Sequence, residues 1–151
     1  MRKISYIQDL TTWREEFSFF IPIRIRFSET DMFGHVNNVS PFIYFEEARI
    51  EYLKSVGVFG DDANTEGIPI VADLQCDYLR QLFFQDSLRI YVKADQVGNT
   101  SFDIHYMGVN QEDEICLTGR GRIVYINSVT GKSLPLGENI KEKLSVISSN
   151  Q

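Results

Sequence analysis

The run FSETDMFGHVNNVSPFIYFEEARIEYLKSVG, Phe27 to Gly57, passes from a polar, turn-rich lead-in to a long amphipathic segment. On a helical period Phe42, Phe45, Ala48, Tyr52, Leu53 and Val56 collect on one arc, widened by Ile43 and Ile50, with Glu47, Glu51, Lys54 and Ser55 opposite. The spacing predicts a helix that buries one broad face. Asn37, Asn38 and Ser40 are good cap residues, Pro41 sits in the first turn where a missing N–H costs nothing, and Gly57 suits the position just past the end. Two charges, Glu46 and Arg49, fall inside the arc expected to be buried; three residues apart, they are neighbours on the helix surface and are expected to be paired or functional.

On either side the period changes to two. Upstream, Phe17, Phe19, Ile21, Ile23, Ile25 and Phe27 alternate with Ser18, Arg24 and Arg26, a strand that Pro22 marks as an edge. Downstream, the acidic connection GVFGDDANTEG reads as a surface loop, either a plain linker or a cover over a site. Four strands follow. Ile68 to Tyr78 and Leu88 to Ala94 alternate cleanly, Gly98-Asn99 turns the chain into a strand through Phe102, Ile104 and Tyr106, and Ile115 to Ile126 closes the set. Within the last, Gly119 and Gly121 leave room for a helix or ligand to approach. Ile140, Leu144 and Ile147 space a short terminal helix. Residues 1–16 form an arm or a short helix, for which Thr12 to Glu15 fits a capping box; residues 17–148 form one domain, and 149–151 a tail. The result is an α+β fold, helices against a largely antiparallel sheet, with a second sheet face that only the terminal arms or another copy of the chain can cover.

A chain of 151 residues, 43% hydrophobic and 13% aromatic, holds one ordinary core without staples. Cys76 and Cys116 make neither a metal-ligand spacing nor a disulfide framework, and MRKISYIQDLTTW lacks an apolar leader segment, so a cytoplasmic protein with reduced thiols is expected. The apolar runs are strand-sized, which argues against a membrane span, and a net charge of −6 argues against nucleic acid as a partner.

No nucleophile elbow, Walker loop or dinucleotide fingerprint occurs, and two histidines, His35 and His105, are too few for a zinc cage. His105 falls among outward strand residues and is expected to be solvated or interfacial. The carboxylates Glu29 and Asp31 lie just ahead of the long helix, whose unpaired N–H groups can polarise a carbonyl oxygen. A carboxylate beside such a donor is the minimum equipment for hydrolysing an activated acyl compound. The alternative, that Asp31 only caps a turn, stays open at this level.

The run from Arg26 to Arg49, with D-x-x-G-H-V-N-N followed by F-E-x-A-R, resembles the signature of the 4-hydroxybenzoyl-CoA thioesterase-like family of hot-dog-fold acyl-CoA thioesterases; DYLRQLFFQDSLRIYVKADQVGNTSFDIHY is similar to that family's second to fourth strands. The resemblance implies five antiparallel strands wrapped around the long helix, pairing of two sheets in a homodimer or homotetramer, and active sites at the subunit interface. It places the catalytic aspartate on Asp31, as nucleophile or general base, and the carbonyl-polarising backbone amide on Asn38. Met32 and Phe33 are apolar neighbours expected to desolvate Asp31. Glu46 matches an acidic helix position, either paired with Arg49 or orienting water or substrate. The GHVNN segment also resembles acyl carrier protein thioesterases that use an asparagine and a histidine, but Phe33 stands where that asparagine belongs, which favours a structural over a catalytic His35. Candidate substrate contacts are Phe33, Gly34, Tyr44, Tyr78 and Arg80, with Phe83 and Phe84 beside them; Arg89, Lys93, Arg120 and Arg122 join Arg80 as cations for phosphates. The implied substrate is an acyl-CoA, or the same acyl group on an acyl carrier protein, with coenzyme A as part of the substrate and no metal or redox cofactor. A hydratase or dehydratase on the same fold and a non-catalytic acyl-CoA-binding module are the rival readings.

Overall fold

The computed structural model describes residues 3–58 and 66–146. In chain order these form α1 (Leu10–Glu15), β1 (Phe19–Arg24), a 3₁₀ turn (Phe27–Glu29), α2 (Ser40–Ser55), β2 (Gly67–Tyr78), β3 (Ser87–Asp95), β4 (Ser101–Val109), β5 (Ile115–Asn127) and α3 (Glu138–Ser145). The five strands make one antiparallel sheet in the order β1-β3-β4-β5-β2. Pro22 therefore does lie on an edge, where its missing N–H breaks no ladder. Most of the acidic connection after α2, the residue Ile147 and the tail 149–151 lie outside the described residues.

The sheet wraps α2. Phe45, Ala48, Leu53 and Val56 are buried against Ile90, Phe102, Ile104 and Tyr106, and the Phe45 ring stacks on Tyr106 at 4.4 Å. Gly119 permits this approach, since a Cβ there would lie 2.5 Å from the Phe45 ring. The helix ends as expected, with Gly57 in the left-handed region at φ 79°. Its start differs: Val39 is the cap and supplies no side-chain bond, while Asn37 Oδ1 accepts from the Val39 N–H at 2.9 Å. The buried arc is also rotated from the one expected. Arg49 is inside as expected and Tyr44 joins it, but Ile43 and Ile50 are exposed and Glu46 points outward, because α2 meets the concave sheet on one side only.

Three further readings are corrected. β1 is shorter than its alternation, for Phe17 packs under the arm and Phe27 opens the 3₁₀ turn with its ring in solvent. The apolar face read for β2 is half open: Ile68 and Ile70 are about 40% exposed on an edge strand that bulges between Val71 and Asp73. The cap of α1 is Asp9, whose carboxylate accepts from the Thr12 N–H at 3.2 Å, and not Thr12.

The N-terminal arm covers part of the outer sheet face. Ile4, Ile7, Trp13 and Phe17 pack with Met107 and Val109, each large apolar side chain adding roughly 1.5–3 kcal/mol when fully buried. This explains why His105 is neither solvated nor interfacial within the chain. It is 2% exposed beneath the arm, and its Nδ1 accepts from Trp13 Nε1–H at 2.9 Å.

Candidate active site

Between the 3₁₀ turn and α2 the backbone folds into a tight loop closed by the Thr30–Val36 bridge. Asp31 N–H donates to the His35 carbonyl at 2.8 Å, and Gly34 N–H donates to the Asp31 carbonyl at 3.1 Å. Gly34 sits at φ 81°, a conformation in which a side chain would be strained. The Asp31 carboxylate takes part through one oxygen: Oδ1 accepts from Phe33 N–H at 2.8 Å and His35 N–H at 3.2 Å. Oδ2 has no hydrogen-bond partner among the described residues. Asp31 thus caps its turn through Oδ1 and leaves Oδ2 unengaged among the described residues. Met32 and Phe33 do not cover it, since both side chains project into solvent.

The other carboxylate ahead of the helix, Glu29, is buried and holds the loop together. Glu29 Oε1 accepts from the Arg26 N–H and the Tyr44 hydroxyl, both at 2.9 Å, and Oε2 accepts from the Arg26 guanidinium at 3.1 Å. Burial alone would raise its pKa, but the Arg26 amide, the Tyr44 hydroxyl and the Arg26 charge outweigh it and hold the carboxyl below its ordinary value. The Glu29 carbonyl accepts from Asn37 N–H at 2.8 Å and Ser40 Oγ–H at 2.9 Å, which ties the turn to the start of α2.

The amides of this segment are then nearly all engaged. Val36 N–H reaches Leu82 O, Asn37 N–H reaches Glu29 O, Val39 N–H reaches Asn37 Oδ1, and Ser40 N–H reaches Asn37 O. Asn38 N–H has no acceptor among the described residues. Asn38 lines a cleft of about 400 Å³ together with Asp31, His35, Tyr78 and Arg80, against apolar walls from Leu82 and Leu117. Two residues lining one cleft, one with an unengaged carboxylate oxygen and one with an unengaged amide among the described residues, are the groups that could orient a nucleophile and stabilise an oxyanion.

Not every candidate residue gathers there. The His35 imidazole packs edge-on against Phe83 at 5.0 Å, and among the described residues the hydrogen bonds of His35 are made by its backbone. Phe33 and Gly34 shape the turn outside the cleft lining, Tyr44 is buried on Glu29, and Glu46 stands outside, 3.9 Å from Arg49, whose guanidinium donates to the Tyr106 hydroxyl at 3.1 Å. Phe84 packs on Phe27 at 5.8 Å. The five candidate phosphate cations all have carboxylate partners within the chain: Arg80 with Glu114, Arg89 with Asp113, Lys93 with Glu16, Arg120 with Asp73 and Asp103, and Arg122 with Asp103.

The model of the thioesterase-like superfamily matches residues 25–144, the span that contains the loop, the cleft and every strand but β1. The chain belongs to this superfamily. It is a thioester hydrolase on a hot-dog fold. The Bacillus subtilis (strain 168) protein YsmA is 48% identical over 132 residues, 87% of this chain and 88% of the relative. A 1,4-dihydroxy-2-naphthoyl-CoA hydrolase of Prochlorococcus marinus (strain NATL2A) is 27% identical over 83% of this chain and 86% of its own. Among solved structures, a thioesterase of Thermus thermophilus complexed with coenzyme A and Zn superposes with a TM-score of 0.74 at 29% identity, covering 86% of this chain and 99% of that one. No described helix of this superfamily member is long and apolar enough to cross a membrane.

Proposed function

We propose that the protein hydrolyses an acyl-CoA to the free acid and coenzyme A, with Asp31 as the catalytic carboxylate and the Asn38 N–H as the carbonyl activator. The observation that carries this reading is that Asn38 and Asp31 line one cleft, with the Asn38 amide and Asp31 Oδ2 both unengaged among the described residues. The thioester oxygen accepts from Asn38 N–H, which favours attack at the carbonyl carbon. By one route Asp31 Oδ2 attacks, the C–S bond breaks, the thiolate takes a proton from water, and a second water cleaves the acyl–aspartyl anhydride. By the other, Asp31 takes a proton from the attacking water, and the same proton leaves with the thiol. Coenzyme A enters only as part of the substrate, and neither route uses a metal or redox cofactor.

The acyl-CoA class is supported by the coenzyme A complex of the Thermus relative and by the name of the Prochlorococcus hydrolase; acyl carrier protein is the alternative carrier. Two free, widely separated cysteines fit a reducing cytoplasm. A homodimer or homotetramer is part of the reading: β2 presents an open edge, and Val39, Ile43 and Ile50 form an exposed apolar stripe along α2.

Thiol release from benzoyl-, hexanoyl- and palmitoyl-CoA tests the proposal. Asp31→Asn is expected to lower turnover ~10²-fold or more with the fold intact; near-normal hydrolysis by that variant would sink the assignment.

A further inference from the structure

The geometry points to Tyr78 as a positioning residue that holds the Asn38 amide in its activating orientation, an inference that rests on the acyl-CoA reading above. Two peptide planes meet at Asn38. The first carries the unengaged N–H and is anchored only at its carbonyl end, where Asn37 O accepts from Ser40 N–H at 3.1 Å. The second is held at both ends: its N–H, that of Val39, donates to Asn37 Oδ1 at 2.9 Å, and its carbonyl, that of Asn38, accepts from the Tyr78 hydroxyl.

Because peptide units are rigid planes joined by two soft dihedrals, fixing the second plane limits how far the first can swing. Side-chain packing does not do this work, for Asn38 and Val39 are both exposed. Among the side chains on this plane, Tyr78 is the long-range one. It is the last residue of β2, 40 positions along the chain, so the sheet itself sets the angle at which the helix begins. Burial, then the neighbouring Cys76, raises the pKa of the Tyr78 hydroxyl above its ordinary value, so it remains a donor at neutral pH. Tyr78 also lines the cleft, where it would otherwise read as a plain substrate contact. The two roles differ in what they change: a contact to substrate alters binding, whereas a support for the oxyanion donor alters the chemical step.

The test measures thiol release by wild type, Tyr78→Phe, Asn37→Ala and the double variant on whichever of benzoyl-, hexanoyl- and palmitoyl-CoA the wild type turns over fastest, with calorimetric titration of free coenzyme A and a melting curve for each. Tyr78→Phe is expected to lower kcat at least ~10-fold, since small displacements of a catalytic group are costly. KM and the affinity for coenzyme A are expected to stay within about twofold of wild type. Since Tyr78 and Asn37 hold the same plane, the double variant is expected to lose less than the product of the two single losses. An unchanged kcat, or a loss confined to KM, overturns the inference. If Asp31→Asn is inactive while Tyr78→Phe keeps full kcat, only the Tyr78 inference falls; a wild type that releases no thiol from any of the three substrates overturns both readings.

Discussion

Protonation of His105 is expected to loosen the N-terminal arm, and the size of the effect follows from where the imidazole sits. Its Nδ1 accepts from Trp13 Nε1–H, so the neutral ring carries its proton on Nε2, which lies 3.7 Å from Asp95 Oδ2. A second proton on Nδ1 would set two N–H groups against each other. Burial first, then Lys93 and Arg120, opposed by Asp103 and Glu16, pulls the pKa from 6.5 to about 4. A base whose folded pKa lies below its unfolded value binds its proton first in the unfolded chain. Stability is therefore complete above the unfolded value and declines as pH falls towards the folded one. With these two values, proton linkage makes the native state about 2 kcal/mol less stable at pH 5 than at pH 7.5, and about 3 kcal/mol less stable near pH 4. Trp13 is the single tryptophan, so its fluorescence reports on the arm directly. Urea unfolding at the two pH values, followed by Trp13 fluorescence and by far-ultraviolet circular dichroism, measures the loss. His105→Asn keeps an acceptor for Trp13 without a titrating ring and should lose about 2 kcal/mol less than wild type over the same interval. Equal losses in the two proteins would refute the argument.

Two other perturbations test the frame around the cleft. Gly119→Ala brings a methyl group within 2.5 Å of Phe45, which cannot retreat because it is stacked on Tyr106; a loss of about 1–3 kcal/mol in chemical denaturation is expected, and an unchanged midpoint would mean that α2 sits further from β5. Glu29→Gln removes a carboxylate that accepts three bonds, and a loss of about 1–3 kcal/mol is expected at neutral pH. Because the pKa of Glu29 is lowered in the fold, its contribution is present above the unfolded carboxyl value and disappears as pH falls through the folded one. The gap between Glu29→Gln and wild type should therefore close in acid; a gap that widens there would contradict the assignment.

Much of the architecture was legible because periodicity is local. Pro41, Gly57 and the apolar arc bound α2 to within a residue or two, and alternation with short turns located β2 to β5. What was not legible depends on partners distant in the chain. His105 alternates onto the outer sheet face, which is ordinarily wet; the residue that dries it, Trp13, is 92 positions away. Charges could be counted but not paired, so five cations that looked available for phosphates already hold carboxylates. The loop ahead of α2 shows the same division. Gly34 and the acidic lead-in mark a turn and a candidate carboxylate by residue type, and the choice of Asp31 rests on the family resemblance. Which amide is left unengaged depends on Leu82 O, Glu29 O and the Asn37 side chain taking the others.

That division also resolves the two charges on the arc of α2. Read on a helical wheel, Glu46 and Arg49 belong together in a buried sector. The sheet divides their surroundings but not the pair: Arg49 goes inward and donates to the Tyr106 hydroxyl, while Glu46 stays largely exposed and keeps an ion pair with it at 3.9 Å. A buried guanidinium needs a polar partner and a counter-charge to offset its desolvation; Tyr106 supplies the first and Glu46 the second. Glu46 lies on the stripe of Val39, Ile43 and Ile50, spaced at four, three and four residues, which leaves a single chain with an apolar surface broken by one carboxylate. A largely exposed charge in such a stripe opposes burial of the surface unless the burial brings it further partners or a substrate. What Glu46 does beyond its contact with Arg49 therefore depends on what covers that stripe.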